Sequence, residues 1–211
     1  MILRPWVILL AAGGSRRFGR AKQLARLGGE TLLRRAARVA LAARVAGCIV
    51  VLGAGAPRLA RELHGLPLRT ALNRRWRDGL STSLRSGLDA LPASAPAALI
   101  MLADQAAIRP ADLERLITTW RRHPRSIVAA RAGAIRGPPL ILPRSSFVAL
   151  HRIRGDAGAR KLLADPARRV IEIEIAAAAF DVDHPADLAR IRRDRVLSCA
   201  AAWQELRNCR P

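Results

Sequence analysis

The 211-residue chain is poor in aromatic residues and contains no tyrosine. Four tryptophans and three phenylalanines make up its aromatic fraction of 3%. Proteins that bind single-stranded nucleic acid commonly stack the bases on aromatic side chains interleaved with basic ones. Because aromatic residues are scarce and the basic residues form no dense block, the sequence argues against a dedicated nucleic-acid-binding module.

The chain has only three cysteines, Cys48, Cys199 and Cys209, and their spacing matches no metal-binding pattern. A disulfide framework is therefore not expected, which favours a reducing compartment, and Cys48 is predicted to be a buried apolar side chain. Long hydrophobic runs are also missing. The apolar segment over residues 6–12 is far shorter than the ~20 residues that span a bilayer, and it lacks a signal-peptide cleavage pattern. We therefore expect a cytoplasmic protein without a membrane partner.

Acidic residues are few: 16 stand against 37 lysines and arginines, which gives a net charge of +21. A charge of this size indicates an anionic partner, such as nucleic acid, a membrane surface or a phosphorylated small molecule. It is equally compatible with a solvated, arginine-rich surface. Since the basic residues are spread along the whole chain, the charge alone does not decide between these interpretations.

Apolar runs alternate with amphipathic stretches along most of the chain, which predicts strands alternating with helices. Predicted strands cover residues 7–10, 49–52, 68–72, 97–102, 126–130, 140–142 and 170–175. Predicted helices cover residues 31–46, 57–63, 80–91, 110–122, 145–153, 157–163 and 185–193. The first helix is expected to place Arg34, Arg35, Arg38 and Arg44 on its solvent-facing side. The alternation predicts one three-layer α/β/α domain over residues 1–195, with a Rossmann-like, mostly parallel sheet. Residues 196–211 are predicted to form a helical C-terminal tail.

A glycine-rich and basic stretch, LAAGGSRRFGRAKQL, occupies residues 10–24, directly after the first strand. In open α/β sheets, ligands bind beyond the carboxyl ends of the strands. Gly13 and Gly14 free backbone amides that can turn toward phosphate oxygens, and Arg17 and Lys22 can neutralise their charge. The stretch matches neither the P-loop nor the dinucleotide-binding spacing of glycines. It therefore predicts a phosphate-binding loop of another kind.

An acidic residue, Asp104, follows the most apolar predicted strand in the stretch LIMLADQ. A carboxylate there is costly unless it has a partner, which could be a backbone amide or Mg²⁺ held together with substrate phosphates. No Ser-His-Asp or Cys-His arrangement accompanies it, so covalent catalysis is not expected.

The loop over residues 10–24 resembles the pattern L-A-x-G-x-S-x-R-[MF]-G-x-x-K of the MobA-like nucleotidyltransferases. Three further stretches, at residues 73–88, 136–163 and 181–188 (the last reading DVDHPADL), resemble the branch of this family that acts on molybdenum cofactor. Together the markers span about residues 7–191. The resemblance is greatest to the members that transfer a cytidylyl group. It implies transfer of CMP from CTP to the terminal phosphate of molybdopterin-bound molybdenum, with Mg²⁺ as cofactor and pyrophosphate as the second product.

The resemblance also implies roles for individual residues. It implies catalytic roles for Lys22, Arg17 and Asp104, and it implies that Asp104 and Asp183 bind Mg²⁺. Acceptor contacts fall to Gly137, Pro139, Gly155 and Asp156. Nucleotide contacts fall to Leu10, Ala11, Ala12, Gly13, Gly14, Ser15, Arg17, Lys22, Asn73, Ser81 and Ser83. For Asp183 a second interpretation stays open, that it caps the helix beginning at Pro185. Asp181 and Asp187 are expected to be structural, and Trp76 either stacks on a ligand or packs in the core.

Three alternative functions also remain. A guanylyltransferase or a sugar-phosphate nucleotidyltransferase would keep the loop and Asp104 but use another base or acceptor. A non-catalytic protein that binds and delivers molybdenum cofactor would keep the acceptor segment and could lose the metal ligands. A nucleic-acid-binding protein would account for the net charge but not for Asp104 behind the apolar strand. The cytidylyl branch reads Leu-Ala-Ala-Gly where the guanylyl branch reads Leu-Ala-Gly-Gly, and the third residue here is Ala12, which favours CTP. Expected partners are nucleotide and pterin molecules and a molybdoenzyme, or its chaperone, that receives the product, without specific nucleic acid.

Overall fold

The computed structural model describes residues 3–15, 18–19 and 21–193 of the chain. The strands are β1 (Trp6–Leu10), β2 (Arg26–Leu27), β3 (Glu30–Thr31), β4 (Gly47–Leu52), β5 (Arg69–Leu72), β6 (Ala97–Leu102), β7 (Ile127–Ala132), β8 (Ile135–Pro143) and β9 (Val170–Glu174). The α-helices are α1 (Leu32–Ala42), α2 (Ala56–Glu62), α3 (Leu80–Asp89), α4 (Pro110–Arg122), α5 (Phe147–Arg152), α6 (Arg160–Leu163) and α7 (Pro185–Arg193).

The main sheet has seven strands in the order β5-β4-β1-β6-β8-β7-β9. β1 is the third strand in this order and pairs in parallel with β4 and β6, so that Leu10 is opposite both Val51 and Leu102. Only β8 runs antiparallel to its neighbours, β6 and β7, within this sheet. The strands β1, β4 and β6 are continuous apolar runs because both of their faces are buried. The predicted mostly parallel sheet is confirmed.

Helices cover both faces of the sheet, which gives the predicted three layers. Alternate side chains of β1 point to opposite faces: Val7 and Leu9 join one core cluster, and Ile8 and Leu10 join the other. The first cluster is completed by apolar residues of α1, α2 and α4, and the second by those of α3, α5 and α6. A smaller cluster packs α7 against Phe18, Leu27 and Ala106. It thereby holds α7 beside the loop that follows β1.

Some strand and helix bounds in the structure differ from those that the sequence predicts. β8 begins at Ile135, not at residue 140, because the turn at Gly133 (φ 60°) lets the charged and proline-rich segment before Leu140 pair with β7. The short hairpin of β2 and β3 was not predicted, since two-residue strands carry no measurable alternation. Helix α1 ends at Ala42, four residues earlier than predicted, because Ala43 adopts an extended conformation.

The predicted solvent exposure of Arg35 is wrong. Its residue is only 7% exposed, and its Nε donates to the carbonyl oxygen of Ala106 at 3.0 Å. The turn that contains Ala106 lies against α1, so this part of the helix surface faces protein and not water. Burial lowers the pKa of Arg35 to about 10. Arg44 lies beyond the end of α1 and is exposed, whereas Arg34 and Arg38 are partly buried.

Cys48 is buried in the first core cluster, as predicted, and burial raises the pKa of its thiol to about 12. Within residues 3–15, 18–19 and 21–193, none of the helices is both long enough and apolar enough to cross a membrane. The predicted helical tail over residues 196–211 lies outside the described residues.

Candidate active site

A cavity of about 450 Å³ opens at the carboxyl edge of the sheet. β1 and β6 end side by side there, because Leu10 and Leu102 share a register position in the parallel pair. The glycine-rich loop therefore starts next to the turn that carries Asp104. The cavity is lined by Leu10, Ala11, Ala12, Gly13, Gly14, Ser15, Lys22, Gln23, Trp76, Arg77, Gly79, Leu80, Ser83, Leu102, Ala103, Asp104 and Asp156. The structure thus brings together most of the residues predicted for nucleotide binding, from distant parts of the chain.

The glycine-rich loop is held from beneath by Gln23, a buried residue whose role the sequence did not reveal. Its Nε2 donates to the carbonyl oxygens of Ala11 at 3.1 Å and Gly13 at 2.7 Å, and its Oε1 accepts from Ser15 Oγ at 3.1 Å. Ser15 has a positive φ of 52°, and its Oγ also accepts from the backbone amide of Lys22. These contacts close the loop on itself and engage two of its carbonyl groups.

Lys22 forms ion pairs with both of the carboxylates predicted as metal ligands. Its Nζ lies 2.6 Å from Asp104 Oδ2 and 2.8 Å from Asp183 Oδ1. The side chains of Lys22 and Asp104 are 17% and 18% exposed, and that of Asp183 is 44% exposed. Burial alone would lower the pKa of Lys22, but the two carboxylates outweigh it and hold this pKa above its usual value. The ammonium group is therefore charged at neutral pH.

Asp183 reaches Lys22 because the segment before α7 is anchored at two points. The backbone amide of Val182 donates to the carbonyl oxygen of Asp104 at 3.0 Å, which joins this segment to the end of β6. Asp187 Oδ2 accepts from the backbone amides of Asp183 at 2.9 Å and His184 at 2.7 Å, and these hydrogen bonds lower the pKa of Asp187. Asp187 thus has the structural role at the start of α7 that the sequence predicted for it.

A third carboxylate, Asp181, lies near the other two. Burial, together with the negative charges of Asp104 and Asp183, raises the pKa of Asp181 to about 6. Its Oδ1 and Asp104 Oδ1 are both buried and have no hydrogen-bond partner among the described residues. Unsatisfied carboxylate oxygens of this kind are rare in folded proteins and mark a place where a cation or a donor can bind.

The carboxylate oxygens of Asp104 and Asp183 are of the type that binds divalent cations such as Mg²⁺. Among the described residues there is no group of three or more His, Cys, Asp or Glu side chains placed to hold a metal ion. Mg²⁺, however, typically takes one or two carboxylates and completes its shell with water and substrate phosphates. Asp104 and Asp183 each direct one oxygen to the Lys22 ammonium group. The other oxygen of Asp104, Oδ1, has no hydrogen-bond partner among the described residues and could bind a metal ion.

The segment over residues 73–83 forms the opposite wall of the cavity. Asn73 is buried, and its Nδ2 donates to Thr82 Oγ1 at 2.8 Å and Ser83 Oγ at 3.0 Å. Ser83 lines the cavity, whereas Asn73 and Ser81 lie buried behind its surface. Asn73 therefore fixes the shape of this wall from within.

The four residues predicted to bind the acceptor lie in two places. Asp156 lines the main cavity, and its Oδ1 accepts from the backbone amide of Leu80 at 3.1 Å. Gly155 packs closely against Gly79, where an added Cβ would come within 2.7 Å of the Gly155 carbonyl carbon. These contacts attach the segment around Asp156 to the first turn of α3.

Gly137 lines a separate cavity of about 80 Å³, which it shares with Gln105, Pro138 and Asp181. Pro139 follows on β8 and is buried. Leu102 lines both cavities, so the smaller one adjoins the carboxylate side of the larger.

Trp76 lies at the cavity wall and packs against the glycine-rich loop. A Cβ added at Gly14 would come within 2.9 Å of Trp76 Cζ3, so Gly14 permits this close approach. The guanidinium group of Arg77 covers the indole ring at 4.4 Å from its centroid. Arg77 has no recognisable sequence signal, because one arginine among many basic residues does not stand out. Arg17 lies outside the described residues.

Comparisons with known proteins identify the family of the chain. The MobA-like NTP transferase domain model matches residues 7–170. The chain belongs to the MobA-like NTP transferase domain family. It is 28% identical to the purine catabolism protein PucB of Bacillus subtilis over 88% of this chain and 95% of PucB.

Solved structures of Mycobacterium tuberculosis Rv0371c are similar as well. One has a TM-score of 0.76 and is 30% identical, covering 89% of this chain and 97% of Rv0371c. Another, a complex of Rv0371c with manganese, has a TM-score of 0.77 at 26% identity and covers 90% of this chain and 99% of that one. Family and fold are thus confirmed, and the chain is a nucleotidyltransferase-type domain.

Proposed function

We propose that this MobA-like protein transfers CMP from CTP to the terminal phosphate of molybdopterin-bound molybdenum and releases pyrophosphate. The observation that carries the proposal is the convergence of Lys22, Asp104 and Asp183 beside the glycine-rich loop. One cation and two carboxylates at a cleft of this size suit a polyanionic nucleotide bound with a divalent metal ion. The product would pass to a molybdoenzyme or to its chaperone.

The reaction needs no covalent intermediate. An oxygen of the acceptor phosphate forms a bond to the α-phosphorus of CTP. The bond from that phosphorus to the oxygen bridging to the β-phosphate breaks, and its electron pair leaves with pyrophosphate. Since the acceptor phosphate is already an anion, no strong general base is required. Catalysis then consists of positioning the two substrates and neutralising negative charge.

The chain's own residues divide this work. Backbone amides of the loop at Gly13 and Gly14 bind phosphate oxygens, and Lys22, with Arg17, offsets charge on the β- and γ-phosphates. Asp104 and Asp183 would hold Mg²⁺, which supplies charge neutralisation at the α-phosphate when bound. The manganese complex of the relative Rv0371c supports a divalent metal in this family.

Asp104 lines the larger cavity and Asp181 lines the smaller one, which supports separate places for nucleotide and acceptor. The nucleotide takes the larger cavity beside the loop, with Ser83 on its far wall and Asn73 shaping that wall. Asp156, with Gly155 behind it, borders the same cavity, and Gly137 and Pro139 lie toward the smaller one. We assign these four residues to the acceptor side.

The test is pyrophosphate release measured with CTP, GTP, ATP and UTP, each without an acceptor, with molybdopterin-bound molybdenum and with a sugar phosphate. Release that requires CTP, the molybdenum cofactor and Asp104 is the expected result. The Asp104 requirement is tested with Asp104→Asn, which keeps the side-chain volume, removes the negative charge and is expected to abolish release. Release with GTP indicates a guanylyltransferase, and release with a sugar phosphate as acceptor indicates a sugar-phosphate nucleotidyltransferase. Binding of the cofactor without any pyrophosphate release would indicate a delivery protein and would refute the proposed reaction.

A further inference from the structure

Lys22 occupies the position between the two carboxylates that we propose as metal ligands. Its Nζ contacts Asp104 Oδ2 at 2.6 Å and Asp183 Oδ1 at 2.8 Å. An oxygen that accepts a hydrogen bond from an ammonium group at this distance cannot also bind a metal ion on the same side. Two cations held there would also repel each other strongly, because Lys22 and Asp104 are largely shielded from water.

We propose that Lys22 competes with the divalent metal ion for Asp104 and Asp183, and that the triphosphate of the nucleotide removes this competition by attracting the ammonium group to its own oxygens. This inference rests on the proposed function, since it takes the two carboxylates as the metal ligands. Metal and nucleotide then bind cooperatively, because each favours the position of Lys22 that the other requires. By linkage the effect is reciprocal: the metal ion strengthens nucleotide binding by the same factor.

The structure allows Lys22 to make this exchange without moving the loop. Its backbone amide donates to Ser15 Oγ at 3.1 Å, which anchors its main chain in the short 3₁₀ turn Lys22–Leu24. The side chain beyond this anchor is a flexible four-carbon stem with a compact charge at its end. A rotation of the stem would carry the charge away from the two carboxylates and into the cavity that Lys22 and Asp104 line.

The choice of lysine at this position supports the argument. Of the 37 basic residues of the chain, 35 are arginines, and only Lys22 and Lys161 are lysines. A guanidinium group is planar, larger and suited to bidentate pairing with one carboxylate, whereas an ammonium group is a point charge that fits between two. A chain that uses arginine almost everywhere else retains lysine where one small cation contacts two carboxylates.

The first test measures Mn²⁺ binding to the nucleotide-free protein, using the electron paramagnetic resonance signal of the Mn²⁺ that remains free. Lys22→Met is expected to bind Mn²⁺ about tenfold more tightly than the wild type, or more, because the competing charge is gone. The same variant is expected to lose nucleotidyl transfer, since Lys22 also serves the triphosphate. Gain of metal affinity with loss of activity is a combination that partial unfolding cannot produce.

Two matched variants isolate the cause. Lys161→Met removes the same charge from an exposed position on α6 and is expected to leave Mn²⁺ affinity unchanged. Lys22→Arg keeps a positive charge beside Asp104 and is expected to increase Mn²⁺ affinity much less than Lys22→Met does. Equal Mn²⁺ affinity in Lys22→Met and the wild type would overturn the inference. If Asp104→Asn also leaves Mn²⁺ affinity unchanged, the metal-ligand assignment in the proposed function fails as well.

A second measurement needs no substitution and decides the question if Lys22→Met does not fold. Protein labelled with ¹⁵N at the lysine side chains has only two ammonium resonances, those of Lys22 and Lys161. Mg²⁺ alone is expected to shift the Lys22 resonance at the concentrations at which it binds, while Lys161 serves as an internal reference. Metal binding that leaves the Lys22 resonance unchanged would refute the inference that the metal ion displaces the Lys22 ammonium group from the carboxylates.

Discussion

At the scale of single residues, Gln23 fixes the conformation of the glycine-rich loop. Its amide engages the carbonyl oxygens of Ala11 and Gly13 from below and accepts a hydrogen bond from Ser15. Carbonyl oxygens would repel a triphosphate, so engaging two of them in hydrogen bonds to Gln23 reduces that repulsion. A buried polar side chain with three hydrogen bonds thus acts as a positioning residue.

Replacing Gln23 by methionine is expected to lower the affinity for CTP much more than the affinity for cytidine, because cytidine has no phosphates. The loss of these hydrogen bonds should also reduce the free energy of unfolding by about 1–3 kcal/mol. Fluorescence titrations with CTP, CMP and cytidine, together with urea denaturation, measure both effects. An equal loss of affinity for all three ligands would show that Gln23 does not act through the phosphate-binding loop.

Ala12 is the residue on which we expect the choice of base to depend in the proposed reaction. It is 3% exposed, lines the cavity, and faces Gly53 so closely that a Cβ added there would lie 2.8 Å from the Ala12 methyl group. The methyl group is therefore held by its neighbours and cannot move aside for a larger base. Space beside it suits a single-ring pyrimidine better than a purine.

Ala12→Gly is accordingly expected to lower the ratio of kcat/KM for CTP over GTP by about tenfold, within the 1–3 kcal/mol that one methyl group contributes to discrimination. The two nucleotides are compared in the same pyrophosphate-release assay for the parent and the variant. A parent that prefers GTP would contradict the assignment of CTP. An unchanged ratio in the variant would instead show that other residues select the base.

At the scale of elements, α3 supports the cavity because it packs unusually close to β1. Gly87 lies on the face of α3 that meets the sheet, where an added Cβ would overlap the Cγ2 atom of Ile8. The other end of α3 is fixed by Asp156, which accepts from the amide of Leu80. The helix is thus held against the sheet at one end and against the acceptor-side segment at the other.

Gly87→Ala is expected to destabilise the protein, although alanine favours a helix by about 1 kcal/mol over glycine. The added methyl group must displace α3 from β1, and overpacking of this kind costs about 1–3 kcal/mol. Arg85→Ala, on the same helix but partly exposed, is the control and should change stability little. Urea denaturation measures the free energy of unfolding of the two variants. A Gly87→Ala variant more stable than the wild type would show that α3 and β1 separate at little cost.

The sequence predicts those elements whose signal is local. Buried parallel strands such as β1 and β6 are recognisable because both of their faces must be apolar, and the loop after β1 because of its glycines. β8 was predicted too short, since its first half contains Arg136, Gly137 and two prolines, and its pairing depends on a tertiary neighbour. For the same reason the burial of Arg35 could not be predicted from α1 alone.

The candidate site shows a similar limit. Residue types predicted roles for Lys22 and Asp104, the family resemblance predicted one for Asp183, and all three side chains meet in the structure. Their direct contact was not predicted, because Lys22 and Asp183 are 161 positions apart and their meeting depends on how α7 packs. Gln23 carried no signal either, since a glutamine next to a lysine has no characteristic pattern.

At the scale of the whole molecule, the net charge of +21 exceeds what the site needs. Several arginines pair with carboxylates on the surface, as Arg131 does with Glu172 and Glu174, but acidic residues are too few to pair with most of them. A surface of this charge attracts any polyanion, including its nucleotide substrate, and increases the rate of encounter at low salt.

The same charge predicts weak binding to nucleic acid without sequence preference. Binding to a random double-stranded DNA fragment should be measurable at about 50 mM salt and should fall steeply by about 200 mM, because each neutralised phosphate releases a counterion and adds roughly −0.9 to the slope of log K against log salt. Fluorescence anisotropy across a salt series, with two unrelated DNA sequences, gives both the slope and the sequence preference. Excess CTP is expected to leave most of the DNA bound, since the arginines concerned are spread over the surface and not confined to the cavity. Binding that persists at physiological salt and discriminates between the two sequences would instead indicate a nucleic-acid partner, which a distributed surface charge cannot explain.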